Sequence, residues 1–144
     1  MRKELDEELC RKYPQIFCNR HAPMTQTSMC WGFDCGDGWY NIINMLCTNI
    51  QSHERNNKLN NVVMPPVIAT QVKEKYGTLR FYYTGGDDYI NGVVAMAEYM
   101  SGVTCETCGA PGEIRDVGWM RTLCDVHAKE QGYYTEEEED EEVW

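Results

Sequence analysis

The sequence predicts an α+β fold: a small β-hairpin or sheet with amphipathic helices, followed by a C-terminal treble-clef-like zinc module. Apolar residues recur at helical spacing in residues 39–50 and 90–97. Between these segments, residues 78–83 (TLRFYY) are rich in strand formers. Near the C-terminus, cysteine and histidine occur at metal-ligand spacing. We therefore divide the chain into an α+β domain (1–102), a zinc-binding module (103–130) and an acidic tail (131–144).

The first part of the chain combines a short helix with irregular structure. Residues 3–13 are predicted to form an amphipathic helix that ends at Tyr13, because the proline that follows disfavours helical backbone there. Residues 18–36, rich in Cys, Met and Gly, are expected to be irregular. A second helix should then bury the apolar series Trp39, Ile42, Ile43, Leu46 and Ile50.

Two predictions concern the ends of this second helix. Asp37 is predicted to be its N-cap, because a carboxylate accepts hydrogen bonds from the free amides at the positive end of a helix. The polar run at residues 51–61 (QSHERNNKLNN) is expected to form a loop.

Residues 62–83 are predicted to be extended and to form a hairpin. Pro65-Pro66 blocks a helix, and Lys75-Tyr76-Gly77 should form the turn, with Gly77 at positive φ. Gly85-Gly86-Asp87-Asp88 then opens a third helix, in which the two carboxylates are interpreted as helix caps rather than as catalytic bases. The inward residues of this helix are expected to be Ile90, Val93, Val94 and Ala97.

Two half-sites, Cys105-Glu106-Thr107-Cys108 and Cys124-Asp125-Val126-His127, form a C-x2-C-x15-C-x2-H pattern. Two residues between ligands let one tight turn present both to a single ion, and zinc takes four such ligands in a tetrahedron. The second half-site should begin a helix at residues 123–129, on which its two ligands share one face. The sequence therefore predicts one zinc ion held by Cys105, Cys108, Cys124 and His127; the alternative is two unrelated buried cysteine pairs.

A second zinc site is a candidate nearer the N-terminus, where Cys18, His21, Cys30 and Cys35 follow a C-x2-H-x8-C-x4-C pattern. This spacing is only loosely typical of a metal site, and the methionines and tryptophan between these residues favour ordinary packing, which is the interpretation we prefer. The cysteines outside both patterns, Cys10 and Cys47, lie on helical faces and are predicted to be core residues.

Basic residues flank the predicted hairpin turn. Antiparallel pairing should bring at least two of Lys73, Lys75 and Arg80 together beside Tyr82. Such a cluster can bind phosphate or stack on a base, so a nucleotide or nucleic acid is the predicted ligand of these four residues. The alternative is a solvated strand face.

Most of the net charge of −10 lies in the tail. Residues 136–142 (EEEEDEE) hold seven acids, which leaves 16 acids against 13 Lys and Arg in the rest of the chain. This balance argues against a globally basic nucleic-acid binder. Adjacent carboxylates repel one another, so the tail is expected to be disordered in isolation.

The tail ends in Val143-Trp144, and acids before a terminal aromatic residue resemble, in physical design, the C-terminal tips of single-stranded-DNA-binding proteins. A partner can hold the ring and the free carboxylate in a basic pocket. A protein with a basic surface is therefore the predicted partner; nucleic-acid mimicry and a purely solvating tail are the alternatives. The predicted contact residues are Glu136, Glu137, Glu138, Glu139, Asp140, Glu141, Glu142 and Trp144.

The first ten residues carry alternating charges without the apolar core of a signal peptide, and no stretch approaches the roughly 18 apolar residues of a membrane helix. We therefore expect a reducing compartment, no membrane partner, and cysteines that act as ligands or small apolar residues. His53 has no carboxylate or nucleophile at a suggestive spacing, and the common catalytic motifs are absent from the sequence. No catalytic residue is predicted, and an enzyme is the less favoured class.

Several motifs occur in a fixed order: MCWGF (29–33), CGDGW (35–39), QVKEKYGTLRFYY (71–83), TCETCG (104–109), and GW (118–119) followed by TLCD (122–125). Together they resemble a family of small uncharacterised proteins encoded by tailed bacteriophages and prophages, over about residues 10–128. The resemblance implies an accessory role in a bacterial host cytoplasm and no particular activity.

We therefore expect a zinc-stabilised phage accessory protein that acts by protein–protein interaction. Its acidic tail would engage or inhibit a host nucleic-acid-processing or defence protein. The alternative is a nucleotide-binding or nucleic-acid-binding protein, or a small enzyme, that uses Lys73, Lys75 and Arg80.

Overall fold

A computed structural model describes residues 1–133, and these form an α+β protein with helices and two small sheets. The helices are α1 (Lys3–Lys12), α2 (Tyr40–Leu59), α3 (Asp88–Ser101) and α4 (Asp125–Glu130). The strands are β1 (Phe33–Asp34), β2 (Ile68–Lys75), β3 (Thr78–Thr84), β4 (Glu113–Arg115) and β5 (Arg121–Leu123). The predicted tail contacts at residues 136–144 lie outside the described part of the chain.

The larger sheet has the strand order β1-β2-β3. Strand β1 runs parallel to β2, and β2 pairs antiparallel with β3, with Lys73 directly opposite Arg80. The turn between β2 and β3 has positive φ at both Tyr76 (53°) and Gly77 (84°). Two such residues give the backbone twist that a two-residue hairpin turn needs, so the predicted turn is confirmed.

The core lies between this sheet and helices α2 and α3. The apolar series predicted for α2 is buried, and Trp39, Ile43 and Ile50 are fully excluded from solvent. Alternation along β3 buries Leu79 and Phe81. Helix α3 contributes Ile90, Val94 and Ala97, with Val93 packed partly buried against the same core. The predicted inward faces of the two helices are therefore confirmed.

Helix α3 also covers the outer edge of β3. The Ser101 hydroxyl accepts a hydrogen bond from the N–H of Leu79 (2.8 Å), and the Glu98 carboxylate accepts one from the N–H of Phe81 (3.1 Å). These amides point away from β2, on the side of β3 where no further strand pairs among residues 1–133. Side chains of α3 therefore supply the hydrogen-bond acceptors that a neighbouring strand would otherwise provide.

The predicted loop at residues 51–61 is wrong, because α2 continues through Leu59. Gln, Glu, Arg and Lys are good helix formers. Distant contacts also fix this polar part of the helix: the Glu54 carboxylate accepts a hydrogen bond from the N–H of Val67, and His53 contacts Asp87.

The predicted N-cap at Asp37 is also wrong, because the α2 terminus has no side-chain cap and a short 3₁₀ turn, Asp37–Trp39, precedes it. The Asp37 carboxylate instead accepts a hydrogen bond from the N–H of Arg2 (2.8 Å) at the start of α1. Capping by Asp87 is confirmed, since its carboxylate accepts a hydrogen bond from the N–H of Ile90 (3.0 Å) in the first turn of α3.

The cysteines carry free thiols in this structure. Cys47 is fully buried and Cys10 is partly buried against the core, as predicted, and burial raises the pKa of the Cys10 thiol to about 11. Among residues 1–133, no helix combines the length and the apolar character needed to cross a membrane.

Candidate metal centre

The two predicted half-sites come together. The ligand atoms of Cys105, Cys108, Cys124 and His127 all lie within 4.8 Å of one another. The sulfurs of Cys108 and Cys124 are 3.9 Å apart, and His127 Nδ1 lies 3.7 Å from the Cys105 sulfur and 3.2 Å from that of Cys124. These separations approach the edges of a tetrahedron around one ion, about 3.8 Å for two sulfurs bound at 2.3 Å. The four donors can therefore hold a metal ion.

The first half-site is a tight turn. The Cys105 N–H donates to the carbonyl of Ala110 (2.7 Å), and the Gly109 N–H donates to the carbonyl of Cys105 (2.9 Å). Gly109 reverses the chain with φ at 80°, a conformation that favours glycine. This closed turn brings the sulfur of Cys108 back towards that of Cys105.

The second half-site lies where β5 meets α4. Cys124 is the N-cap of α4, and its sulfur accepts a hydrogen bond from the N–H of His127 (3.5 Å). Cys124 thus caps the helix whose first turn carries His127; the helix begins at Asp125, two residues later than predicted, because Leu123 belongs to β5. Arg115, from β4, donates to the Asp125 carboxylate (2.8 Å) and to the Leu123 carbonyl (3.0 Å), which fixes the start of α4 against the smaller sheet.

The thiols of the first half-site differ in acidity. Burial raises the pKa of Cys105, but hydrogen bonds from the backbone N–H groups of residues 124, 108 and 107 outweigh burial and lower the pKa to about 6. The backbone N–H of Ala110 lowers the pKa of Cys108, but desolvation, the hydrogen bonds with Cys105 and Cys124 and the charge of Cys105 together outweigh it, and the pKa is raised. One thiolate thus forms readily, and its negative charge disfavours a second thiolate beside it. A bound cation would offset this repulsion between the two thiolates.

The turn that carries the first ligands is docked on the α+β body through Glu106. This side chain is only 4% exposed, and its carboxylate accepts hydrogen bonds from the N–H of Gly36 (2.9 Å) and from Arg121 (3.2 Å). Burial raises the pKa of Glu106, opposed by these two donors. The backbone carbonyl of Glu106 also accepts a hydrogen bond from the N–H of Gly38 (2.8 Å).

Glycine is required where the two parts meet. A Cβ on Gly38 would overlap the carbonyl oxygen of Cys105, and one on Gly36 would overlap that of Glu106. Beside them, the Trp39 indole N–H donates to the carbonyl of Thr104 (2.9 Å). The CGDGW segment is therefore the surface on which the TCETCG turn rests. Nothing local in the sequence indicates this role of the two glycines.

The second predicted set of ligands is not brought together. In the described part of the chain, the C-terminal cluster is the one group of three or more Cys, His, Asp or Glu side chains close enough to share an ion. Cys18 and His21 are exposed, and the Cys30 thiol donates to the carbonyl of Thr27. Cys35 is buried, which raises its pKa to about 12. Cys30 and Cys35 thus serve local packing and bonding.

The predicted ligand-binding residues border different cavities. Lys73 and Lys75 line a cleft of about 460 Å³ at the hairpin tip. Arg80 is paired with Glu98 (3.7 Å) and borders a different cavity, towards the C-terminal end of α3. Tyr82 borders a third depression, which is also lined by residues 24–28 and by Thr70 and Gln71. The strand register nevertheless pairs Lys73 directly with Arg80, so two of the predicted cations are neighbours across the hairpin, as expected.

His53 makes a contact that was not predicted from the sequence. Its Nε2 lies 2.7 Å from the Asp87 carboxylate, and its ring stacks on Tyr89 with centroids 4.1 Å apart. The hydrogen bond from His53, together with the N–H of Ile90, lowers the pKa of Asp87. The two partners are 34 residues apart on separate helices, so no local spacing could indicate them. The pair ties α2 to the first turn of α3.

Comparison with known proteins adds no relative: no protein-family model matches the chain, and neither curated proteins nor solved structures give a match. The interpretation of the site therefore rests on its own geometry.

Proposed function

We propose that Cys105, Cys108, Cys124 and His127 bind one zinc ion and that this ion is structural. Three thiols and one imidazole are a ligand set that zinc favours over harder cations such as magnesium or calcium. The observation that carries the proposal is the convergence of four protein donors within 4.8 Å. Four protein ligands complete a tetrahedron, so no coordination position is left for a substrate.

We also propose that the module has a treble-clef-like arrangement. Its support is the order of the elements: a tight turn with two ligands, the β4–β5 hairpin, and a helix whose first turn carries the other two. The cluster of apolar residues behind the ligands is small, with Leu123 and Ala128 buried beside Cys105. Zinc would therefore supply much of the folding free energy of this module.

Metal analysis of the purified protein tests the zinc proposal. We expect about one zinc per chain in the wild type and none in Cys108→Ala, because three remaining ligands bind far more weakly. The matched control is Cys18→Ala, which removes another exposed thiol outside the cluster and should keep the ion. A wild-type protein without zinc would contradict the proposal, and a second equivalent lost in Cys18→Ala would establish the N-terminal site.

We further propose that the zinc ion stabilises an interaction protein rather than a catalytic centre. The resemblance to phage proteins supports an accessory role in a bacterial host, and the acidic run ending in Trp144 supports contact with a basic surface on a host nucleic-acid-processing or defence protein. This part of the proposal rests on the sequence of the tail.

Affinity capture from host lysate tests the partner proposal. The bait is the full chain, and the comparison bait lacks residues 135–144. A specific partner should be retained by the full chain and lost, or strongly depleted, with the shortened bait. A variant with the same tail composition in shuffled order, so that the aromatic residue is no longer terminal, separates recognition of the terminus from simple charge. Equal capture by all three baits would contradict a role for the tail.

A further inference from the structure

A cleft of about 460 Å³ separates the tip of the β2–β3 hairpin from the loop that joins β4 to β5. The hairpin side of the cleft includes Lys73, Lys75 and Tyr76, and the loop side includes Trp119. The cleft therefore lies between the α+β body and the metal-binding module, and neither Arg80 nor Glu98 lines it.

Trp119 is an aromatic side chain without the burial that its size favours. It is 68% exposed, whereas Trp39 in the core is fully buried. It lies next to Gly118, which has φ at 77° and open space around its Cα. Across the cleft, Tyr76 is equally exposed, at 68%. Two large exposed rings that face one cleft are typical of a binding surface.

The cations of the cleft are the two hairpin lysines. The Lys75 ammonium lies 5.6 Å from the centroid of the Tyr76 ring, so positive charge and an aromatic face are adjacent. Two carboxylates also border the cleft: Asp116 lies on the loop side, and Glu74 is held at the turn, where it accepts a hydrogen bond from the N–H of Gly77 (2.8 Å). On the hairpin side, an aromatic face lies beside ammonium groups. This combination complements a flat ring that is attached to an anionic group.

We propose that this cleft binds an unpaired nucleobase together with its phosphate. The base stacks on Trp119, and Lys73 and Lys75 hold the phosphate. A base in a duplex is already stacked on both faces and paired along one edge. The ligand is therefore a free nucleotide or a segment of single strand. The site uses the folded body and goes beyond the proposed role of the tail, and it includes neither Arg80 nor Tyr82 from the predicted set.

Fluorescence anisotropy of a labelled thymidine oligonucleotide of about 8 residues, titrated with the full-length, zinc-loaded chain, tests this site. Trp119→Ala should weaken binding about tenfold or more, because the stacking platform is lost. The matched control is Trp31→Ala, which removes a tryptophan that is 66% exposed and lies outside the cleft. Trp119→Phe keeps an aromatic face and should retain most of the affinity, and circular dichroism verifies that each variant is folded.

The lysines are tested by the salt dependence of the same binding. Lys73→Ala/Lys75→Ala should weaken binding and reduce the slope of log affinity against log salt by roughly 0.7 for each phosphate that is no longer neutralised. The control is Lys3→Ala/Lys58→Ala, which removes the same charge from residues of α1 and α2 that do not line the cleft. This control should leave the slope nearly unchanged.

Competition identifies the source of the ligand. Displacement by thymidine monophosphate at an affinity equal to that of the oligonucleotide indicates a free nucleotide, and much weaker displacement indicates a single strand. Three results would overturn the proposal: binding of neither ligand at low salt, equal effects of Trp119→Ala and Trp31→Ala, or tighter binding of a duplex of the same length. None of these results depends on the tail partner, so failure here leaves the proposed function untouched.

Discussion

Gly36 and Gly38 hold the metal-binding turn against the body because they have no side chains. The carbonyl oxygens of Cys105 and Glu106 occupy the positions where a Cβ of these glycines would lie. The close approach allows the N–H of Gly38 to donate to Glu106 and the N–H of Gly36 to donate to the buried Glu106 carboxylate. The join between body and module therefore depends on two residues that bind no metal.

Gly38→Ala tests this dependence. We expect a loss of about 2 to 4 kcal/mol in the free energy of unfolding, since the added methyl group overpacks the join and breaks a buried hydrogen bond. Zinc content should persist, because the ligands are unchanged. Denaturant titration measures the loss. The control is Gly92→Ala in α3, where a Cβ meets nothing within 4 Å and should stabilise the helix by up to about 1 kcal/mol. Equal unfolding midpoints for the wild type and Gly38→Ala would refute the argument.

At the scale of elements, Ser101 shows how a helix completes a sheet. Its hydroxyl is fully buried and accepts the hydrogen bond from the N–H of Leu79 at the edge of β3. Ser101→Ala leaves that amide buried without an acceptor, at a cost of about 1 to 3 kcal/mol. We therefore expect a lower unfolding midpoint and faster amide hydrogen exchange at Leu79. Ser52→Ala, at an exposed position of α2, is the control and should change neither measurement.

Elements with a local signature could be predicted from the sequence. The apolar period from Trp39 to Ile50 predicts α2, the alternation around Phe81 predicts β3, and the half-site spacing predicts which four residues converge. In each case the residues that determine the element are neighbours in the sequence, within a few helical turns or a single strand. The 15 residues between the half-sites, which include the β4–β5 hairpin, do not obscure the pattern, because each half presents its two ligands from one local turn.

Features that depend on distant partners could not be predicted. The apolar period stops at Ile50, but the helix continues, because Glu54 and His53 are held by Val67 and Asp87. Asp37 has the chemistry of an N-cap, but the start of α1 lies close enough to take its carboxylate. A local pattern contains no information about such partners, which only the folded chain supplies.

At the scale of the whole molecule, the candidate metal ligands and the acidic run lie close together in the C-terminal part of the sequence. Outside the acidic run, 16 acids face 13 Lys and Arg, so the body is close to neutral. The chain leaves the metal-binding module at Tyr133, whose N–H donates to the carbonyl of Ala128 (2.7 Å) and whose side chain packs on the small cluster behind the ligands. The described part of the chain therefore ends on the metal-binding module, with two residues between it and the acidic run in the sequence.

We predict that the acids and the terminal ring of the tail affect different rate constants of partner binding. Attraction between exposed charges is screened over about 8 Å at physiological salt, so residues 136–142 should mainly accelerate association. A buried tryptophan can contribute about 2 kcal/mol or more to an interface, so Trp144→Ala should mainly accelerate dissociation, by roughly 30-fold at 2 kcal/mol.

Surface plasmon resonance with the captured partner separates these effects. Replacing the acids of residues 136–142 by Gln and Asn should flatten the salt dependence of association and leave dissociation nearly unchanged. Trp144→Ala should keep the salt dependence, and residues added after Trp144 should weaken binding by blocking the terminal carboxylate. Trp31→Ala, which removes an exposed tryptophan of the body, is the control. If a chain lacking residues 135–144 binds with full affinity, the tail only solvates the protein, and the folded surface must make the contact.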